Sequence, residues 1–408
     1  MEKTNKQKFV IYIGDFDLRN QNVQAHLVKN NAKILNRLGY RVAFIGINRE
    51  SSSVEIETLP KLSSLGDGNL YLELENTFSV SGLLKYRKTE KKILSFIEKV
   101  EQDSKVEFVI SYQAPTYALI LKSVAQWCKY CGAKYIVNCA DLTLFSSQPL
   151  FRRAVMELNW KILHGINKQY ADGIIAVSSY IENFYHKDGL PSVIIPPLFD
   201  NYSESEFKLG DKTTFVYAGT PFVLKENVNP EGMKDRLDKI VDYCILLSKQ
   251  KVNYVLEIIG ITKEQYLMCI PRHKEDLRDN DDIKFKGRFS HEDTLKEVRN
   301  ADYMMNIRDI NIMNEAGLST KLVESVSLGT PVVMNSVGDN FKYLREGITG
   351  YELFDDKQRD VELLKVLCNK SIEERMTLKR NCVGDKAFSI ERFEGKLESF
   401  LSEVCLNG

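Results

Sequence analysis

The chain has no surplus of charge: 56 Lys and Arg stand against 56 Asp and Glu in 408 residues. A dedicated nucleic-acid binder normally carries a basic excess, so that class ranks low, although a local basic face is compatible with neutrality. Long apolar runs are missing too. No stretch approaches the roughly 20 consecutive apolar residues of a membrane span. The opening M-E-K-T-N-K-Q-K leads into a strand without the apolar core of an export signal, so a reducing, cytoplasmic setting is expected. Cysteine is present but scattered. Among the eight, only Cys128 and Cys131 form a C-x2-C pair, on a predicted helix and with no second pair in reach, which reads as two thiols rather than a metal site. No internal repeat of solenoid period is visible.

What is there is an alternation of short apolar strands and amphipathic helices. Phe9–Gly14 is an apolar strand closed by glycine; a helix over about 23–38 follows, then a strand over 41–45. This is a βαβ unit and implies a parallel sheet with crossover helices. The grammar continues with helices near 83–100, 117–130 and 151–170 and strands at 108–111, 135–137 and 173–177. Pro196-Pro197 breaks it, and a polar stretch follows. The series then restarts with strands at 215–218, 254–259, 283–286, 303–307 and 332–334, helices between them, and two closing helices after Gln358 and Ser389. The expected fold is α/β, two doubly wound Rossmann-like domains facing each other across a cleft. The expected bounds are 1–198 for the first domain, 199–212 for a linker, 213–385 for the second domain, and 386–408 for a final helix returning to the first. Ligands in such sheets bind beyond the carboxyl ends of the strands.

The richest stretch is Glu315–Asn335, E-A-G-L-S-T-K-L-V-E-S-V-S-L-G-T-P-V-V-M-N. Gly317, Ser319 and Thr320 open a helix predicted over 320–328, Gly329 stops it, and Pro331–Met334 is a buried strand. The helix start offers backbone N–H groups and a partial positive charge, which suit a phosphate. Glu324, one turn in, is placed to accept hydrogen bonds from the ribose of a nucleotide docked there. Lys321 and Lys234 each put a cation at the unfavourable end of a helix dipole, which a bound anion would relieve. Lys234 is a candidate for neutralising a departing diphosphate. Arg308 ends a strand, where it either meets ligand or pairs with Asp309. Gly14, Gly219 and Gly317 follow strands or open the motif, where glycine permits close approach of backbone to a ligand. Asp141 follows a strand of the first half and is a candidate for orienting an acceptor hydroxyl.

In V-Y-A-G-T-P, M-K-D-R-L, E-I-I-G, F-K-G-R-F-S-H-E, N-I-R-D and the 315–335 motif, in that order, the chain resembles the family 4 retaining glycosyltransferases of the GT-B fold, bacterial surface-polysaccharide type. The resemblance spans nearly the whole chain and is weaker at the front, in I-Y-I-G-D and L-G-Y-R-V. It implies transfer of a sugar from a UDP- or GDP-sugar to a hydroxyl of a glycan or lipid-linked acceptor, with retention and without a metal or other cofactor. Asp15-Phe16-Asp17 has the spacing of an acidic metal motif but lies in the acceptor-side half. Relatives commonly have two glutamates eight positions apart. Glu324 matches the second, while the first position is Ala316, with Glu315 displaced by one and a candidate for touching the donor sugar. Thr220 stands where relatives often carry arginine. Two rivals fit the same fold: a non-catalytic partner or chaperone subunit of another glycosyltransferase, and a nucleotide-sugar epimerase. The helix over 151–170, with Arg152, Arg153, Lys161 and Lys168 beside Leu158, Trp160, Ile162 and Leu163, either rests on an anionic membrane surface or packs its apolar stripe inward.

Overall fold

The computed structural model describes residues 6–19, 23–48, 69–75, 80–114, 117–142, 150–199, 207, 209–224, 228 and 233–407. The chain forms two compact units, Met1–Leu198 with Ile390–Gly408, and Phe199–Ser389.

The first unit runs β1 (Lys8–Gly14), α1 (Val23–Arg37), β2 (Arg41–Asn48), β3 (Leu70–Glu75), α2 (Val80–Asp103), β4 (Lys105–Tyr112), α3 (Leu119–Cys131), β5 (Lys134–Cys139), α4 (Leu150–Tyr170), β6 (Gly173–Ala176), α5 (Ser179–Tyr185) and β7 (Ser192–Ile194). Its seven strands are parallel in the order β3-β2-β1-β4-β5-β6-β7. A parallel sheet covered on both faces wants strands that are apolar throughout. β1 meets this, with every residue after Lys8 buried. The direction of winding reverses between β1 and β4, and there the strands crowd. A Cβ on Gly14 would lie 2.0 Å from the carbonyl oxygen of Tyr112.

The second unit runs β8 (Thr213–Ala218), α6 (Leu237–Lys249), β9 (Tyr254–Ile259), α7 (Lys263–Cys269), β10 (Ile283–Gly287), α8 (His291–Asn300), β11 (Tyr303–Asn306), α9 (Ile312–Ala316), α10 (Thr320–Ser327), β12 (Val332–Asn335), β13 (Gly350–Leu353), α11 (Lys357–Cys368) and α12 (Ile372–Asp385). Its parallel order is β10-β9-β8-β11-β12-β13. The switch point therefore lies between β8 and β11. One core layer packs α6, α7 and α11 on the sheet through Leu237, Val241, Tyr266 and Leu364; the other packs α10 through Leu322, Val323 and Val326. The last helix, α13 (Ile390–Leu406), belongs to the first unit. Its buried stripe Ile390, Phe393, Leu397, Phe400, Leu401 and Val404 recurs at helical spacing. It closes on β6 so tightly that a Cβ on Gly173 would meet Val404 at 2.6 Å.

These glycines are testable. In Gly14→Ala the obstacle is backbone, which cannot rotate away, so a loss at the upper end of the roughly 1–3 kcal/mol range for overpacking is expected in urea unfolding. Gly165→Ala in α4 meets nothing within 4 Å and should instead gain about 0.5–1 kcal/mol, the usual benefit of replacing a mid-helix glycine.

Candidate donor site at the switch point of the second unit

The chain leaves β8 through Ala218-Gly219-Thr220-Pro221. Gly219 adopts φ +133° and Gly260, beyond β9, φ +113°, values that L side chains rarely adopt. A Cβ on Gly260 would sit 2.3 Å from the Gly219 carbonyl oxygen, so this approach of the two loops requires glycine at 260. The segment before α6 then crosses the strand ends. The N–H groups of Lys234 and Asp235 both donate to Pro221 O, at 3.0 and 3.3 Å, and the Arg236 N–H donates to Ile307 O at 2.7 Å. This lays the exposed Lys234 beside the Gly219–Pro221 loop.

Asp235 lies at the centre of the site and is fully buried. Its Oδ1 accepts from Arg308 Nε at 2.8 Å; its Oδ2 accepts from Lys321 Nζ at 2.7 Å and from the Tyr217 hydroxyl at 2.9 Å. Burial alone would raise its pKa, but Lys321 and then Arg308 overcome that and hold the carboxyl well below its usual range. The Tyr217 hydroxyl is pushed far upward by burial and then by Asp235, so it stays a donor. Two cations against one carboxylate leave this corner with positive charge, and Lys321 Nζ sits where a Gly219 side chain would begin, 3.0 Å from its ideal Cβ.

The neighbouring charges are committed elsewhere. Arg236 is held bidentately by Asp309 at 3.0 Å and by Asp238 at 2.8 Å. Asp309 is thereby taken, and Arg308 pairs with Asp235 rather than with its sequence neighbour. The Arg308 backbone is itself clasped by Asn335, which accepts its N–H at 2.9 Å and donates to its carbonyl at 2.7 Å.

α10 enters from the other side. Its first turn has no side-chain cap, because Ser319 is buried with its hydroxyl accepting from Asn306 Nδ2 at 2.9 Å. The Ser319 hydroxyl is thereby turned into the fold, leaving its part in the expected helix start to position the turn. The Ser319 N–H is held by Asn340 Oδ1 at 3.2 Å. Thr320 and Lys321 follow at the helix start, where the leftover amides and the helix dipole favour an anion. Glu324 is half-buried, and its carboxylate makes no hydrogen bond among the described residues. Burial raises its pKa to about 7, against the opposing pull of Lys321.

The structure thus brings Gly219, Thr220, Lys234, Arg308, Ser319, Thr320, Lys321 and Glu324 to one end of the second sheet. Gly317 precedes α10 at φ −89°. A Cβ there would meet only Met313 O, at 3.5 Å, so packing alone does not demand glycine. Glu315 sits on α9 rather than in a loop, and its carbonyl packs on Gly338. Gly14 and Asp141 are in the first unit. Gly14 has a packing reason to be glycine, and Asp141 Oδ1 accepts from Gln113 Nε2 at 3.0 Å, past the ends of β4 and β5. The roles of Asp235, Asn306, Asn335 and Asn340 emerge only in the fold, since their partners are distant in sequence.

No family model and no curated protein matches the sequence. Solved structures do. The chain is similar to HepE of Anabaena, determined in complex with UDP, at 12% identity and TM-score 0.61, covering 96% of this chain and 99% of that one. It is similar to sucrose-phosphate synthase of Thermosynechococcus elongatus at 13% identity and TM-score 0.63, covering 98% and 100%. It also matches the lipopolysaccharide outer core galactosyltransferase WaaB at 13% identity and TM-score 0.56, covering 98% and 97%. The two-unit α/β fold is the one these glycosyltransferases share, the GT-B fold.

Proposed function

We propose that the protein is a retaining glycosyltransferase that moves a hexosyl unit from a UDP- or GDP-sugar to a hydroxyl of a glycan or lipid-linked acceptor in cell-surface polysaccharide synthesis, at the cytoplasmic side. The observation that carries this reading is the pairing of two features at one switch point. One is a positively charged corner at Gly219, built from Lys321 and Arg308 on the buried Asp235. The other is an uncapped helix start followed one turn later by Glu324. A nucleoside diphosphate needs both: cations and amides for its phosphates, and a carboxylate for its ribose hydroxyls. The fold shared with the UDP-bound Anabaena protein supports it.

In this mechanism the diphosphate lies between the α10 start and the Gly219–Pro221 loop. Lys321, Arg308 and Lys234 stabilise the charge that grows on it as the glycosidic bond breaks, the part a metal plays in other transferases. The acceptor hydroxyl attacks from the side of the leaving group and gives its proton to the departing diphosphate. Glu315 and Gly317 border the sugar. Positioning supplies most of the remaining acceleration.

A thermal-shift screen against nucleotide sugars tests donor binding. A donor at a hundred times its Kd should stabilise the protein by about 2.7 kcal/mol, and a flat response across UDP- and GDP-sugars would remove the proposal. With the donor found, the anomeric configuration of the first product, read by NMR before mutarotation, must equal that of the donor. Inversion rules out the retaining mechanism.

A further inference from the structure

The sequence left open whether α4 packs its apolar stripe inward. The structure divides the helix. Leu163, His164, Ile166 and Asn167 in its C-terminal half are buried. In its N-terminal half Leu150, Phe151, Val155 and Leu158 are 85%, 80%, 39% and 60% exposed. Phe151, Val155, Leu158 and the half-buried Ile162 recur at intervals of four, three and four, so they share one face. That face is turned away from the mean direction of the buried side chains.

The charge around it is predominantly positive. α3 packs beside α4, with Asn159 Oδ1 accepting the Ala118 N–H at 2.9 Å. Together the two helices carry six Lys and Arg against a single acid, Glu157. Glu157 is occupied by Arg153 at 2.7 Å. Arg152 and Lys161 are exposed on α4 and have no ion-pair partner among the described residues. A large exposed apolar face marks an interaction site. Flanked by cations on a helix, it has the composition of one that lies in a membrane interface. A second copy of the chain is a poor occupant, since it would set two cationic surfaces against each other.

We propose that this face of α4 seats the protein on an anionic lipid bilayer, with Phe151, Val155 and Leu158 at headgroup depth and Arg152 and Lys161 among the lipid phosphates. The inference is independent of the donor reading, because none of these residues belongs to the second unit.

Co-sedimentation of the full chain with vesicles tests it. Binding is expected to vesicles containing phosphatidylglycerol and not to phosphatidylcholine alone. Arg152→Gln with Lys161→Gln should weaken partitioning about thirtyfold, from roughly 1 kcal/mol per basic residue. Phe151→Ser with Leu158→Ser should weaken it by at least about tenfold through lost apolar burial. All four side chains lie outside the core, so melting temperature and donor affinity should stay at wild type in both variants. No partitioning, or equal partitioning into both vesicle types, would overturn the proposal. So would light scattering that shows a dimer which Phe151→Ser with Leu158→Ser returns to monomer.

Discussion

Asp235→Asn should lower the stability of the second unit by about 3–5 kcal/mol at neutral pH, the usual cost of removing one partner from a buried ion pair. The substitution keeps the size of the side chain and deletes only its charge. It leaves the Arg308 guanidinium and the Lys321 ammonium buried around a neutral amide that cannot accept from both as a carboxylate does. For a unit of this size, 1 kcal/mol moves the midpoint by roughly 2–4 °C, so a fall on the order of 10 °C is expected by calorimetry. The sign of the pH dependence follows from the depressed pKa. A carboxyl held below its unfolded value contributes stability above about pH 4 and loses it as the pH falls further. Wild type and Asp235→Asn should therefore converge in acid. Adding Lys321→Met to Asp235→Asn should recover part of the loss, because one unpaired cation is gone. A single mutant as stable as wild type at pH 7 would mean that the cluster does not anchor this corner.

Glu324→Gln should separate binding from stability. With its pKa raised to about 7 by burial, the carboxyl stabilises the fold relative to the unfolded chain below about pH 4.5. That contribution is lost as the pH rises through 7. Above pH 7 the ionised form carries a penalty of roughly 3 kcal/mol, which a neutral glutamine removes. The variant should be more stable than wild type at pH 8 and about equal to it at pH 4. Donor affinity should move the other way. Two hydrogen bonds from ribose to a charged acceptor are worth about 1.5–3 kcal/mol each at most, so a loss of about a hundredfold is expected at pH 8. In wild type, affinity should rise roughly tenfold from pH 6 to 8 as the acid ionises, and in the variant that slope should vanish. An ordinary surface glutamate would produce neither the stability gain nor the altered slope.

The long apolar strands and amphipathic helices are legible because each carries its signal locally. β1, β4, β8 and β9 are buried along most of their length, and α1, α3, α6 and α10 show a clear apolar stripe. The elements that the sequence hides carry little of it. β3, β7 and β13 are edge strands, two of them only three or four residues long. α12 has almost no amphipathic pattern; its start is set by the capping box of Ser371 with Glu374, and its buried residues include Arg375 and Lys379. The site is half legible for a related reason. Glycines after strands and the opening of α10 are local features. The anchoring role of Asp235 depends on Arg308, 73 positions away, and Lys321, 86 positions away. In M-K-D-R-L the two cations stand out, and nothing local marks the aspartate between them. Arg308 has a nearer acid in Asp309, which only the fold assigns to Arg236. The inward turn of Ser319 likewise depends on Asn306.

In the proposed function Lys321, held on Asp235 at the Gly219 corner, receives the diphosphate of a nucleotide. Calorimetric titration of UDP and GDP into wild type and Lys321→Met tests it most directly, since methionine keeps much of the side-chain length and leaves Asp235 paired with Arg308 and Tyr217. Saturable binding of one of the two nucleotides to wild type is expected. A loss of about a hundredfold or more is expected in a variant that remains folded, because a buried charge-assisted contact to phosphate is removed. Equal affinity in the two proteins, or no binding of either nucleotide to wild type, would contradict it.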